Sequence, residues 1–302
     1  MVNKKELIVI GGPTASGKTG LSISIAKSLN APILSADSRQ FYKEIKIGTA
    51  KPSLEEQDGV PHYFIDSHHL EDTVSSVRFE KEALQLLDKL FEKHNFVILV
   101  GGSGMFIDAL LFGTDNLPKD EAIRAKLNEH YKNEGICFLL NQLKRKDPIY
   151  FDQVDKSNVP RIIRALEVIT ITKKTFSEQR TGKKKIRNFN HNIFVIDHPR
   201  EILYNRINSR VDQMMADGLV KEVESVKHLS HLQSLNTVGY KEIFSFLKNE
   251  FDKEEAVELI KRNSRRYAKR QITWFKRYEN AHWLEYSNVK EMSAQILEKY
   301  NA

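Results

Sequence analysis

The chain has 302 residues, 40% of them hydrophobic, and a formal charge of +7. That content and length fit one α/β domain plus a second unit and exclude a disordered or fibrous class. A single cysteine, Cys137, rules out a disulfide framework or a multi-cysteine zinc site and points to a reducing cytoplasm. No apolar run approaches the length of a membrane span, and the first predicted strand lies so near Met1 that no signal or transit peptide is expected. The positive charge admits a polyanionic partner, and the basic residues gather at 180–187 and 261–277.

Residues 7–10 are a short, β-branched apolar run that predicts a buried strand, while Leu21, Ile25, Ala26 and Leu29 have helical spacing. Between them, Gly12, Pro13, Thr14, Ala15, Ser16, Gly17, Lys18 and Thr19 satisfy the phosphate-loop pattern in the strand-to-helix setting it requires. Backbone N–H groups of such a loop converge on phosphate oxygens and the helix start adds positive dipole. Lys18 can bridge the terminal phosphates, and the Thr19 hydroxyl can hold Mg²⁺. A nucleoside triphosphate and any other diphosphate ester suit this cradle equally.

Residues 31–36 predict a short strand ending at Asp37, with Ser38, Arg39 and Gln40 following. In open α/β sheets chemistry collects at the carboxyl ends of the strands, so Asp37 is placed to face whatever the cradle holds; the other reading is an Asp-Ser pair capping the next helix. Residues 47–52 read as a loop that Pro52 closes. His62, His68 and His69, with Asp66 among them, lack the spacing of a zinc motif and are read as ordinary loop and core positions. Phe79, Ala83, Leu86, Leu87 and Leu90 share a helical face, and 96–100 predicts a buried strand ending in Gly101-Gly-Ser-Gly. An ATPase ordinarily places an Mg²⁺-organising Asp near such a strand end. Glycines and Ser103 stand there instead, which weakens the motor and GTPase readings; Ser103 is either a ligand near the reaction centre or part of a strand-ending turn.

Beyond Gly113 the pattern is helical, through Ile123 and Leu127, then Phe138, Leu139, Leu140 and Leu143, then Ile162, Ile163, Leu166 and Ile169. This predicts a helical insertion over 113–191 within a core made of 1–112 and 192–302. The fold class is therefore α/β, a P-loop NTPase-like parallel sheet with an inserted helical unit. The charge run at 180–187 reads as a solvated loop. Residues 192–196 return to a strand, and Arg206 and Arg210, four apart, share a helical face and either clamp a diphosphate or pair with surface acids. In 261–277 the basic residues are interleaved with Tyr267, Trp274 and Phe275, which suits RNA. A helix with its aromatics packed inward is the other reading, and both can hold at once.

Taken with the phosphate loop, the segments Asp37-Ser-Arg-Gln, Ile47-Gly-Thr-Ala-Lys-Pro, Val60-Pro-His, Gly101-Gly-Ser-Gly, Arg161-Ile-Ile-Arg-Ala-Leu-Glu-Val, Val238-Gly-Tyr and Tyr267-Ala-Lys-Arg-Gln-Ile-Thr-Trp-Phe resemble the bacterial tRNA dimethylallyltransferases, the IPP transferase family, over nearly the whole chain. The resemblance implies transfer of a dimethylallyl group from dimethylallyl diphosphate to N6 of adenosine 37, beside the anticodon of tRNAs that read codons beginning with U. It implies Mg²⁺ as cofactor, the tRNA anticodon stem-loop as partner bound by the insertion, no membrane, and a monomer. By position it makes Asp37 the general base and 14–19 the diphosphate site, and Arg206 or Arg210 joins Lys18 in stabilising the leaving group. Asp37, Ser38, Arg39, Gln40, Ser103, Arg124, Pro160, Arg161, Ile162, Ile163 and Arg164 correspond to tRNA contacts. Three positions depart from the family pattern: Ser103 where Thr is usual, Phe106 where Tyr is usual, and Pro160 where Gln is usual. A eukaryotic-type zinc finger cannot form with one cysteine. The competing readings are a small-molecule kinase using ATP, a prenyl transferase acting on free adenine nucleotides, and a nucleotide-gated RNA-binding module.

Overall fold

The computed structural model describes residues 5–300. Strands β1 (Glu6–Gly11), β2 (Ile33–Ser35), β3 (His62–Tyr63), β4 (Phe96–Gly101), β5 (Asn190–Asp197) and β6 (His282–Glu285) form one parallel sheet of order β3-β2-β4-β1-β5-β6. The unbroken apolar run of β1 is buried at every residue, as a central strand covered on both faces requires. Helices α1 (Lys18–Leu29), α2 (Leu54–Gln57), α3 (Ser76–Leu90) and α4 (Gly104–Phe112) come from the first part of the chain. Next come α5 (Glu121–Lys146), interrupted by non-helical Gly135, then α6 (Pro148–Gln153), α7 (Val159–Thr172) and α8 (Phe176–Gln179). The chain closes with α9 (Arg200–Ala216), α10 (Leu219–Ser225), α11 (Tyr240–Leu247), α12 (Lys253–Phe275) and α13 (Val289–Glu298).

The described residues divide into two compact units, Phe112–Lys185 and the remainder, which carries the sheet. The helical unit has its own core, in which Leu127, Leu139, Leu143, Ile162, Leu166 and Phe176 are buried together. Asn158 caps α7 by accepting from the Arg161 N–H at 3.2 Å, and Pro160 sits in its first turn, where a missing N–H costs nothing. Residues 186–191, expected in the insertion, belong instead to the sheet-bearing unit, because β5 begins at Asn190. Nor is all of 180–187 a solvated loop: Arg187 is nearly buried, pairs with Glu80 at 2.8 Å and donates to the carbonyls of Leu110 and Ala109.

One face of the sheet buries Ile8, Ile10, Ile33, Ile98, Phe194 and Ile196 against α1 and α13. At the carboxyl edge, α12 approaches so closely that three positions admit no side chain. A Cβ on Gly11 would lie 2.3 Å from the Phe275 ring, one on Gly102 2.1 Å from Gln271 Nε2, and one on Gly104 2.1 Å from the Trp274 ring. The aromatic side of α12 therefore packs inward, with Phe275 fully buried, while Arg262, Arg266, Lys269 and Arg270 are exposed.

Gly104→Ala is expected to destabilise the protein by about 1–3 kcal/mol, the usual cost of overpacking, because a ring held by its helix cannot move aside. Urea unfolding measures this, and unchanged stability would show that α12 is not held at this distance.

Candidate active site

The phosphate loop leaves β1 and enters α1 through residues that an ordinary backbone would strain. Gly12, Ala15 and Gly17 have φ of 143°, 62° and 90°, so the chain can turn its N–H groups inward before the helix begins. Lys18 Nζ donates to the Pro13 carbonyl at 2.6 Å. Burial lowers its pKa to about 8, against the opposing charge of Asp37. His198, just past the end of β5, supports the loop: its Nε2 lies 2.9 Å from the Ser16 carbonyl and its ring stacks on Tyr286.

Arg206 and Arg210 share one face of α9 and both reach the loop. Arg206 Nε donates to the Ala15 carbonyl at 2.7 Å and its guanidinium lies over Tyr286. Arg210 Nη1 reaches the Thr14 hydroxyl at 3.4 Å. Burial pulls Arg210 below its ordinary pKa, while the charges of Asp37 and Glu56 oppose the shift.

Asp37 stands two residues beyond β2. No helix follows it directly; Asp37 Oδ1 accepts from the Arg39 N–H at 3.0 Å in a local turn, so helix capping is not its role. Ser38 N–H donates to Ser103 Oγ at 3.1 Å, joining the turns after β2 and β4. Gln40 is tied to Ser35 Oγ and to the Thr49 and Ala50 carbonyls, and Arg39 Nη1 donates to the Ser234 carbonyl at 2.8 Å.

Two cavities open on this edge. A large one, about 1290 Å³, contains the phosphate loop from Thr14 to Thr19 together with Gln40, Arg206 and Gln271. A smaller one, about 320 Å³, is lined by Ser38, Arg39, Arg270 and residues 236–239. They share a wall that includes Thr14, Asp37, Thr49, Arg210 and Tyr267. A carboxylate thus faces both the phosphate cradle and a second compartment.

Tyr267 stands in this shared wall and Gln271 lines the large cavity; the sequence marks them only as part of a basic, aromatic stretch suited to RNA, with no place at the reaction centre. Tyr267 of α12 is hydrogen-bonded to Ser103, and its hydroxyl is pushed up to about 12 by burial and by the charge of Asp37. Gln271, one turn further, accepts from the Thr14 N–H at 2.8 Å and donates to the Gly102 carbonyl at 3.0 Å, linking the phosphate loop to the turn after β4. Their signal was the spacing of four within 267–271, but that spacing is uninformative until α12 is known to cross the sheet edge.

In the helical unit, Arg124 and Arg164 converge on one buried carboxylate, donating to Glu167 Oε2 at 2.8 and 2.9 Å. Despite its burial Glu167 stays below the usual carboxyl range, because Arg164, the Asp120 N–H and Arg124 all donate to it. Arg124 remains 46% and Arg164 29% exposed, so each retains a solvent-facing part. Pro160 and Arg161 are exposed. Ile162 and Ile163 are 0% and 5% exposed; their side chains belong to the core of that unit, which leaves only their backbone for the RNA contact expected there.

A phosphate loop and a carboxylate on the carboxyl edge of a parallel sheet define a P-loop enzyme that works on a phosphorylated substrate. A family profile described as IPP transferase matches residues 40–278. The tRNA dimethylallyltransferase of Cytophaga hutchinsonii is 46% identical over 97% of this chain and 96% of its own, and tRNA dimethylallyltransferase 1 of Bacteroides thetaiotaomicron is 45% identical over 97% and 94%. The crystal structure of a tRNA isopentenylpyrophosphate transferase from Bacillus halodurans superposes with a TM-score of 0.73 at 35% identity, covering 99% of this chain and 97% of that one. A eukaryotic dimethylallyltransferase acting on tRNA gives a TM-score of 0.80 at 25% identity, covering 99% and 78%. The chain belongs to the IPP transferase family.

The lowered pKa of Lys18 has a measurable consequence. Near pH 8 its amine is partly neutral in the free protein, and a bound anion raises its pKa, so binding takes up protons. Calorimetry of inorganic diphosphate binding in buffers of different ionisation enthalpy, corrected for the diphosphate's own titration, is expected to show this uptake. The Lys18→Arg variant, charged throughout, is expected to lack it; equal uptake by both proteins would contradict the assignment.

Proposed function

We propose that the protein is a tRNA dimethylallyltransferase that transfers the dimethylallyl group of dimethylallyl diphosphate to N6 of adenosine 37 in tRNAs reading codons beginning with U. The observation that carries the reading is the shared wall: Asp37, Arg210 and Tyr267 border both the cavity of the phosphate loop and the smaller one. A transferase joining a diphosphate ester to a second substrate needs a base between two such compartments.

In this reading the diphosphate lies in the cradle against the backbone N–H groups of 14–19, with Lys18, Arg206 and Arg210 around it. The adenine enters from the smaller cavity. N6 attacks C1 of the allylic chain as the C1–O bond breaks, and the diphosphate leaves with the electron pair of that bond. An exocyclic amine is a poor nucleophile, so Asp37 accepts the N6 proton as the N–C bond forms. Arg210 reaches both compartments and balances the charge that grows on the diphosphate while Asp37 is neutralised. Tyr267, neutral and tied to Ser103, holds the wall on the acceptor side.

The donor set also suits Mg²⁺. The Thr19 hydroxyl lines the large cavity with no hydrogen bond to a described residue, and no group of three or more His, Cys, Asp or Glu side chains among the described residues forms a separate metal site. Such a hydroxyl holds Mg²⁺ together with diphosphate oxygens and water. When bound, the ion neutralises charge on the leaving group.

The tRNA is bound through backbone neutralisation by the exposed cations of α12 and of the helical unit, Arg161 among them, and adenosine 37 leaves the anticodon stack at a cost of about a few kcal/mol. A tRNA-modifying enzyme works in the cytoplasm, where its substrate is; separately, no helix among the described residues is long and apolar enough to cross a membrane.

Asp37→Ala is expected to lower the single-turnover rate about a hundredfold or more and to leave tRNA affinity within about twofold. A near-normal rate would remove Asp37 from the chemistry. Affinity for tRNA is expected to fall steeply, by tenfold or more, between low and physiological salt; a flat response would show that the basic surfaces do not carry the RNA.

A further inference from the structure

Two segments that stand out in the sequence, 47–52 and 238–240, meet in the fold at one carboxylate. Glu222, on α10, accepts from three successive backbone N–H groups: Lys46 and Ile47, each at 2.7 Å, and Gly48 at 2.9 Å. These are the donors that open the single 3₁₀ turn Ile47–Thr49 and that the turn itself leaves unpaired. The fourth bond to the same carboxylate comes from the Tyr240 hydroxyl at 2.5 Å. Tyr240 is fully buried, and its ring occupies the space a Cβ on Gly48 would need, only 2.5 Å away. Gly48 and Tyr240 therefore fit each other, and Glu222 bonds both.

The turn so fixed leads directly into the wall between the two cavities. Thr49 lines both of them. The Ala50 carbonyl accepts from Arg210 Nη2 at 3.4 Å, and Arg210 reaches Thr14 of the phosphate loop with its other nitrogen. Gln40 also donates to the Thr49 and Ala50 carbonyls. A continuous path of bonds thus runs from Glu222 through the turn to the guanidinium that borders the cradle.

We propose that Glu222 and Tyr240 are positioning residues for the diphosphate: they hold the turn at 47–49 so that the Ala50 carbonyl keeps Arg210 aimed at the phosphate loop. The inference rests on the reading of the cradle as a diphosphate site. Glu222→Gln keeps one acceptor oxygen and puts a donor NH₂ in place of the other, so at least one N–H of the turn loses its acceptor; the Ala50 carbonyl then shifts, and Arg210 loses one of the two acceptors that set its direction.

The test is calorimetric titration of the full chain with inorganic diphosphate and Mg²⁺, beside titration with unmodified tRNA, for the wild type, Glu222→Gln and Tyr240→Phe. Diphosphate affinity is expected to fall five- to tenfold in Glu222→Gln and two- to threefold in Tyr240→Phe, with tRNA affinity within twofold of wild type. Tyr240→Phe keeps the buried ring and so carries the test if the first variant does not fold. Unchanged diphosphate affinity in a folded variant overturns the proposal. Equal loss for diphosphate and tRNA overturns it as well, because a general loosening of the fold would not choose between them. A wild type that fails to bind diphosphate removes the reading of the cradle itself, and this inference falls with it.

Discussion

The site depends on how close α12 can come to the carboxyl edge of the sheet. Gly11, Gly102 and Gly104 lack the atoms that would hold it away, and Phe275, Gln271 and Trp274 fill the space. Close packing of this kind resists displacement, since interiors compress little and each lost contact costs dispersion energy. With the helix seated, Gln271 bonds the Thr14 N–H and the Gly102 carbonyl, and Tyr267 arrives beside Ser103 and Asp37. A helix that in isolation would be only a basic amphipathic segment becomes one wall of the reaction chamber.

The same geometry explains the charge balance of the chamber. Lys18, Arg206 and Arg210 surround the phosphate loop, and the charge of Asp37 acts on both Lys18 and Arg210. Burial lowers the pKa of Lys18 and Arg210 because their charge is poorly solvated there. In the proposed reaction a diphosphate supplies the missing solvation, so binding energy is concentrated on the group that must leave. Asp37, as the proposed base, would then face a local field that becomes less positive as negative charge accumulates on the departing diphosphate, which favours its taking a proton at the moment the bond forms.

How much of this was legible in the chain follows from the range of each interaction. The phosphate loop could be read because strand, glycines, Lys18 and helix are contiguous, and Asp37 could be read because a short apolar run ends just before it. Tyr267 and Gln271 lie in a segment that the family resemblance marks, yet their places in the site, like that of Glu222, could not be read, because their partners lie far away in the chain. The burial of Ile162 and Ile163 was visible as apolar periodicity, and their side chains pack in the core of the helical unit. Arg187 is the opposite case, since a charge run suggests solvent and only the tertiary fold reveals the buried Glu80 that pairs with it.

The central claim is that the two compartments meeting at Asp37 serve a prenyl diphosphate on one side and the adenine of tRNA on the other. The most direct measurement is incubation of the protein with labelled dimethylallyl diphosphate, Mg²⁺ and unmodified tRNA, followed by nucleoside mass analysis, with AMP and ATP as parallel acceptors. The account predicts label on N6 of adenosine 37 and none on the free nucleotides. Label on AMP or ATP, or no transfer to any acceptor by folded protein, would contradict it.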